Sequence, residues 1–111
     1  MKTSLKTKEK TALAEFVSKV KRSLGKDLVS LHLFGSKARS ASQKGSDVDV
    51  LVVVSRFSAD IKNAVIDIAF DVNLKFDVYI SPRVVPARIF SARVWRITPF
   101  VQNIRRESIP L

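Results

Sequence analysis

Two short motifs, separated by ten residues, carry the side chains of this 111-residue chain with the clearest chemical potential. Gly35 and Ser36 end one apolar segment, and Asp47 and Asp49 begin another. Side chains at positions i and i+2 of a strand point to the same face, so the two carboxylates should project together. Neighbouring carboxylates repel each other unless a proton or a cation lies between them. The pattern therefore predicts oxygen ligands for a cation beside a phosphate-binding turn, as in a magnesium–nucleotide site.

The Gly-Ser pair is suited to binding an anion through the backbone. Gly35 has no Cβ, so backbone amides at this position can come close to a phosphate. Ser36, at the start of a predicted short helix, would add a hydroxyl and free N–H groups. Lys37 and Arg39 follow directly. They could contact a triphosphate or only solvent, and the sequence leaves both alternatives open.

The combined motif resembles that of the minimal nucleotidyltransferases of the DNA polymerase β superfamily. In that family a hydrophobic strand ends in Gly-Ser, and Asp-x-Asp enters a second hydrophobic strand after a spacer. Here Phe34-Gly35-Ser36-Lys37-Ala38-Arg39 leads to Asp47-Val48-Asp49 after the ten residues from Lys37 to Ser46. The likeness covers nearly the whole chain, although Ser40 and Ser108 stand where glycines are common in the family.

The resemblance implies transfer of AMP from ATP by a site that binds two Mg²⁺ ions. Asp47 and Asp49 would be metal ligands and catalytic residues, together with a third carboxylate on the next strand. Asp77 is the best candidate because it alternates with apolar neighbours along a predicted strand. Asp71 is the rival, although its helical spacing places it on a solvent face. The nucleotide-binding residues implied are Gly35, Ser36, Lys37 and Arg39.

No motif in the chain identifies the acceptor of the nucleotide. Small members of the family are similar to antitoxins whose partner is an all-helical HEPN-type ribonuclease toxin. The resemblance therefore implies transfer of AMP to a tyrosine of such a toxin. Two other functions stay open: a non-catalytic protein that binds a nucleotide or the toxin, and nucleotidyl transfer to RNA or a small molecule. The net charge of +10 would suit an acidic protein surface or a nucleic acid.

The hydrophobic pattern predicts one α/β domain over residues 1–111, with a short mixed sheet of three or more strands flanked by helices. The predicted helices cover residues 8–24, 59–70 and 99–106. The predicted strands are Leu28–Phe34, Asp47–Val54 and Lys75–Ile80, with Pro82 stopping the third. The segment Arg83–Val94 is ambiguous.

Composition excludes several other classes of protein. The chain has no cysteine, which excludes disulfides and thiolate metal sites. Its single histidine, His32, excludes a multi-histidine zinc site and is expected to be a half-buried structural residue. No apolar run approaches the roughly 20 residues of a membrane helix, and no apolar segment follows the basic N-terminus. We therefore expect a cytoplasmic protein with no membrane segment and no signal peptide.

Overall fold

Four strands and three helices make up the structure, a computed structural model that describes residues 5–38, 47–90 and 97–111. In chain order they are α1 (Thr7–Leu24), β1 (Leu28–Phe34), β2 (Val48–Val54), α2 (Ala59–Phe76), β3 (Ile80–Pro86), α3 (Pro99–Glu107) and β4 (Ile109–Pro110). Short 3₁₀ turns follow α1, β1 and β3, at Gly25–Asp27, Gly35–Lys37 and Ala87–Phe90. Arg39, a predicted nucleotide-binding residue, lies outside the described residues.

The four strands form one mixed sheet in the order β3-β2-β1-β4. The central pair β1 and β2 is antiparallel, with Phe34 opposite Asp49, and β4 is antiparallel to β1. The edge strand β3 runs parallel to β2, with Val48 opposite Ile80. The predicted mixed sheet is therefore confirmed, and the short strand β4 extends it.

Strand β2 is covered on both faces, as its uninterrupted apolar sequence predicted. Val48, Val50 and Val52 pack in the larger core cluster, with apolar residues of α1 and α2. Leu51 and Val53 pack in a second cluster, with Ile104 of α3. Because side chains alternate along a strand, successive residues of β2 pack into the two core clusters on opposite faces of the sheet.

The predicted third strand, Lys75–Ile80, is wrong in its position. Helix α2 continues to Phe76, because Val72 and Phe76 extend the apolar spacing of its buried face. Asp77 then ends the helix in the left-handed conformation (φ 53°), and its N–H is directed to the carbonyl of Asn73. Strand β3 begins only at Ile80 and runs through Pro82, which was expected to stop it.

Proline is tolerated within β3 because β3 is an edge strand. In a parallel ladder, alternate residues direct their backbone groups toward the neighbouring strand. The carbonyl of Tyr79 accepts from the N–H of Val48, so Pro82 directs its nitrogen away from β2. The missing N–H of Pro82 therefore removes no hydrogen bond from the ladder.

The last helix begins as predicted, at Thr98-Pro99. The Thr98 hydroxyl accepts a hydrogen bond from the N–H of Val101 at 3.4 Å, and Pro99 occupies the first turn, where it needs no donor. Helix α3 covers Leu51 and Val53 on the second face of the sheet. None of the helices in the described ranges combines the length and the apolar character needed to cross a membrane.

Candidate active site

The antiparallel pairing of β1 and β2 brings the two predicted motifs together at one end of these central strands. Phe34, the last residue of β1, lies opposite Asp49, near the start of β2. The turn Gly35–Lys37 and the aspartate pair therefore meet, although ten residues separate Ser36 from Asp47 along the chain. Asp49 has the strand parity of Leu51, so its carboxylate belongs to the α3 side of the sheet. Asp47 lies just before β2 and lines a cavity beside α2.

Gly35 lies directly against the Asp49 carboxylate. Its φ of +73° is in the left-handed region that favours glycine. A Cβ built on Gly35 would collide with Asp49 Oδ2 and would stand 3.2 Å from Asp49 Cγ. The absence of a side chain is thus what allows the turn and the carboxylate to touch.

The electrostatics of Asp49 favour a bound cation. Burial raises the pKa of the half-buried Asp49 carboxyl, the negative charge of Asp47 raises it further, and Arg83 opposes both effects. A carboxylate that is costly to ionise because of a like charge beside it gains most from a positive charge placed between the two.

The described residues include no cluster of three His, Cys, Asp or Glu side chains that could hold a metal ion. Mg²⁺ nevertheless suits a pair of carboxylates, because it keeps several waters and is commonly bound by one or two carboxylates together with substrate phosphates. Asp47 and Asp49 therefore fit Mg²⁺ as a shared site completed by a nucleotide, rather than as a cage made by protein alone.

Arg83 is a site residue that sequence reasoning missed. It lies on β3 opposite Leu51, on the face that Asp49 shares, and its charge acts on the Asp49 carboxyl. Its guanidinium carbon lies 5.1 Å from the centre of the Phe100 ring of α3, a cation–π contact. A guanidinium whose charge reaches the Asp49 carboxylate is well suited to contact a phosphate bound there. The alternation of residues along β3 could have identified Arg83, but the sequence left the segment Arg83–Val94 without an assigned structure.

Two cavities on the α3 side adjoin these groups. The smaller, about 150 Å³, is lined by Gly35 together with Phe34, Phe100 and residues of α3. The larger, about 540 Å³, is lined by Arg83, Phe57 and Phe100 among others. Its volume lies within the usual range for a small-molecule site, and its lining is mostly apolar with a few charged groups. The site therefore has room for a flat apolar group next to Arg83.

Lys37, a candidate for contact with a triphosphate, is instead buried against α1. It is 2% exposed, and its Nζ lies 3.3 Å from Glu9 Oε1. The same oxygen accepts a hydrogen bond from the N–H of Lys6 at 2.9 Å. A buried ammonium needs a counter-charge, and the first turn of α1 supplies it. Lys37 therefore fixes the Gly35–Lys37 turn to α1.

Removing one partner of the Lys37–Glu9 ion pair should destabilise the fold more than removing both partners. Glu9→Leu leaves the Lys37 ammonium buried without its partner, so we expect the free energy of unfolding to fall by about 3 kcal/mol. Adding Lys37→Met removes the stranded charge and should restore most of that loss. Urea unfolding of the two single variants and the double variant measures the coupling. Additive single effects would contradict the ion pair's role in holding the turn.

Asp77, the predicted third carboxylate, is not brought to Asp47 and Asp49. Its side chain is 91% exposed, and its Oδ2 lies 3.7 Å from the Nζ of Lys8 at the start of α1. The prediction placed it on a strand facing the pair, whereas it ends α2 in a left-handed turn. Asp71 lies on the exposed face of α2, as the sequence predicted.

A single substitution separates the two interpretations of Asp77. From its 91% exposure and its ion pair with Lys8, we expect Asp77→Asn to change the rate of nucleotide transfer by less than about threefold, since an exposed ion pair contributes little. A loss of about a hundredfold, as for a catalytic carboxylate, would instead agree with the family resemblance. The measurement is kcat/KM for labelled ATP, with Asp60→Asn, an exposed aspartate in the first turn of the same helix, as a matched control.

His32 takes no part in this site. It lies half-buried in β1, where its Nε2 is 2.9 Å from the Ser30 hydroxyl, and burial lowers its pKa. This agrees with the structural role expected from the sequence.

Residues 13–109 match a family model described as a nucleotidyltransferase domain. A relative from Methanocaldococcus jannaschii, provisionally named protein adenylyltransferase MJ1305, is 35% identical over 95 residues. That match covers 83% of this chain and 63% of the relative, so the chain spans somewhat under two thirds of the relative's length.

Solved structures share the fold. A toxin–antitoxin complex with AMP-PNP contains a chain 20% identical to this one, with a TM-score of 0.55 over 86% of this chain and 68% of that chain. A mutant of the MntA–HpeT toxin–antitoxin matches at 19% identity and a TM-score of 0.55, over 85% and 68% of the two chains. A provisionally named minimal nucleotidyltransferase matches at 22% identity and a TM-score of 0.55, over 92% and 94%.

Proposed function

This chain belongs to the nucleotidyltransferase domain family, and on that premise we propose that it transfers AMP from ATP to a hydroxyl group of a partner protein. The observation that carries the proposal is the contact between Gly35 and the Asp49 carboxylate, with Asp47 and Arg83 beside it. A glycine turn for phosphate, a carboxylate pair for a cation and a fixed guanidinium are the groups that nucleotidyl transfer requires.

Each residue has a proposed part in the reaction. The backbone of the Gly35 turn and Ser36 bind the β- and γ-phosphates, and Arg83 neutralises charge on the phosphates. Asp47 and Asp49 would hold Mg²⁺, which would supply charge neutralisation of the phosphates and of the pyrophosphate leaving group. The acceptor oxygen forms a bond to the α-phosphorus as the bond from that phosphorus to the bridging oxygen of pyrophosphate breaks. The hydroxyl proton passes to solvent water.

The larger cavity beside Arg83 and Phe100 is the proposed place of the nucleobase. Its lining combines Phe57 and Phe100 with aliphatic residues and two arginines, Arg83 and Arg88. Rings that stack on a nucleobase gain favourable contacts without reading its edges. We therefore expect a nucleoside triphosphate to bind with its base on the α3 side of β3.

The proposed acceptor is a tyrosine of a HEPN-type toxin, which makes this chain an antitoxin. Two findings support a protein acceptor: the curated relative is provisionally named a protein adenylyltransferase, and structural neighbours of the same fold come from toxin–antitoxin complexes. The net charge of +10 is compatible with an acidic protein partner and also with RNA.

The test is transfer of label from ATP. The chain is incubated with Mg²⁺, ATP labelled at the α-phosphate and the HEPN-type protein encoded beside it in its genome. We expect the acceptor to gain label and the mass of one adenylyl group on tyrosine. The matched reaction with ATP labelled at the γ-phosphate should leave the acceptor unlabelled. Label from the γ-position, or label on added RNA with none on protein, would contradict protein adenylylation.

A further inference from the structure

Helix α2 has an apolar stripe on the side that faces away from the core. Ile66, Phe70 and Leu74 follow each other at intervals of four residues, and they are 44%, 62% and 70% exposed. Residues spaced by four lie on the same side of a helix, so the three side chains form one continuous surface. Contiguous exposed apolar patches of this kind mark interaction sites in soluble proteins.

The stripe is continuous with the candidate active site. A cavity of about 320 Å³ lies between α2 and the start of β3, and Phe70, Tyr79 and Asp47 all line it. A second cavity of about 280 Å³ continues from it along β3 and reaches Arg83, since Ile66 and Pro82 line both. We call the stripe and these two cavities the α2 groove. A molecule seated in the α2 groove would contact Asp47 at one end and Arg83 at the other.

The edge of β3 is closed to an added strand, which determines what kind of molecule can occupy the groove. The Asn73 side chain accepts from the N–H of Ile80 at 2.8 Å and donates to its carbonyl at 3.1 Å. Pro82 and Pro86 alternate in phase with Ile80, so their backbone nitrogens also face away from β2, and proline has no N–H to donate. Of the N–H groups that β3 directs outward, this leaves only that of Val84. An occupant must therefore dock through side chains, as a helix does.

The charge beside the stripe indicates the chemistry of that helix. Asp67 and Asp71 each follow a stripe residue directly and are exposed, and neither has an ion-pair partner within the described part of the chain. Acidic groups on a chain with a net charge of +10 form a local exception to its overall charge. They would complement Lys or Arg side chains on the occupant.

A second copy of this chain fits the groove less well. A two-fold symmetric contact centred on Phe70 would bring Asp67 and Asp71 of both copies to one interface. Four carboxylates would then be desolvated together near the centre of the contact, whereas Lys62, which lines the second cavity, lies about two helical turns away from Phe70. The charge pattern therefore favours a different protein as the occupant.

We propose that the acceptor protein docks on the α2 groove through an amphipathic helix with apolar residues flanked by Lys or Arg, so that its reactive hydroxyl reaches Asp47. This inference rests on the proposed adenylyl transfer and assigns the surface that recognises the acceptor. It follows that the acceptor approaches from the α2 side of β3 and the nucleotide from the α3 side, and that the two meet at Arg83, which lines both spaces.

Substitutions on the stripe should affect the acceptor and leave the nucleotide alone. Phe70→Asp and Leu74→Asp are each expected to lower kcat/KM for the HEPN-type acceptor by at least about tenfold, as for a central apolar contact in an interface. Binding of a fluorescent ATP analogue in the presence of Mg²⁺ should stay unchanged. Val29→Asp is the matched control, since Val29 is 54% exposed on β1 and lies outside the groove. It should alter neither quantity.

The charge of the groove is tested separately. Asp67→Lys combined with Asp71→Lys should weaken the same acceptor reaction several-fold at low salt, and added salt should reduce the difference. A faster reaction after charge reversal would mean an acidic occupant and would overturn the assignment. Unchanged transfer in both stripe variants would overturn the docking surface while leaving adenylyl transfer intact.

The inference can be tested even if the wild-type chain transfers no nucleotide to this acceptor. In that case the proposed function fails, and sedimentation of the chain with the same HEPN-type protein becomes the measurement. A complex that forms with wild type and Val29→Asp but dissociates with Phe70→Asp would support the surface. A complex that persists in Phe70→Asp, or no complex with wild type, would overturn it.

Discussion

Asp47→Asn combined with Asp49→Asn should abolish nucleotide transfer, lowering kcat/KM by about a thousandfold or more. Both substitutions keep the shape of the side chain and remove the charge that would hold a cation against the phosphates. Losing the electrostatic stabilisation of the transferring group raises the free energy of the transition state by several kcal/mol. Initial rates with labelled ATP measure the effect, and Asp60→Asn, an exposed aspartate in the first turn of α2, is the matched control.

The same substitution at Asp49 should make the folded protein more stable at neutral pH. Burial and the charge of Asp47 raise the pKa of the Asp49 carboxyl, so the native state binds that proton more tightly than the unfolded state does. Stability therefore increases as the pH falls through the window just above the ordinary carboxyl pKa of about 4. Asp49→Asn should remove this rise and increase the thermal midpoint at pH 7.

Activity should follow the opposite course with pH. A carboxylate binds a cation only when it is deprotonated, so kcat/KM is expected to fall as the pH decreases through that same window. Thermal unfolding and transfer rates measured at about pH 4 to pH 7 test both directions together. If the rise in stability on acidification instead persisted unchanged in Asp49→Asn, the raised pKa would not belong to Asp49.

Gly35→Ala should cause a second large loss, about a hundredfold or more in kcat/KM. The backbone of Gly35 lies at a φ of +73°, which costs an alanine about 1 to 2 kcal/mol. The new Cβ would also collide with Asp49 Oδ2, so either the turn or the carboxylate must move. Because positioning errors of about 1 Å at a reacting centre cost about a hundredfold, activity should fall far more than stability.

Gly25 provides the matched control for this substitution. Its φ of +54° is also positive, at a ψ of −125° that favours glycine, but an added Cβ would meet nothing within 4 Å. Gly25→Ala should therefore show the backbone cost alone, a loss of about 1 to 2 kcal/mol in the free energy of unfolding with unchanged transfer. Equal losses of activity in the two variants would mean that backbone conformation, rather than contact with Asp49, governs the effect of Gly35.

Local patterns in the sequence were sufficient to predict most of the fold. The apolar spacing of α1, the Thr98-Pro99 start of α3 and the uninterrupted apolar run of β2 each appear in the structure as predicted. These elements depend on spacing and capping within a few residues. The boundary between α2 and β3 could not be predicted in this way. Residues 75–80 alternate like a strand, but Phe76 also continues the apolar face of α2.

The sequence by itself determined that Gly35, Asp47 and Asp49 would meet. Two apolar strands joined by a short segment pair as neighbours, and the motifs stand at the joined ends. Only the tertiary structure decided three other positions: Arg83 beside Asp49, Lys37 against Glu9, and Asp77 beside Lys8. Each depends on the packing of an element distant in sequence, whose register and exact ends follow from which surfaces are buried together. Residue type and local spacing do not determine which surfaces are buried together.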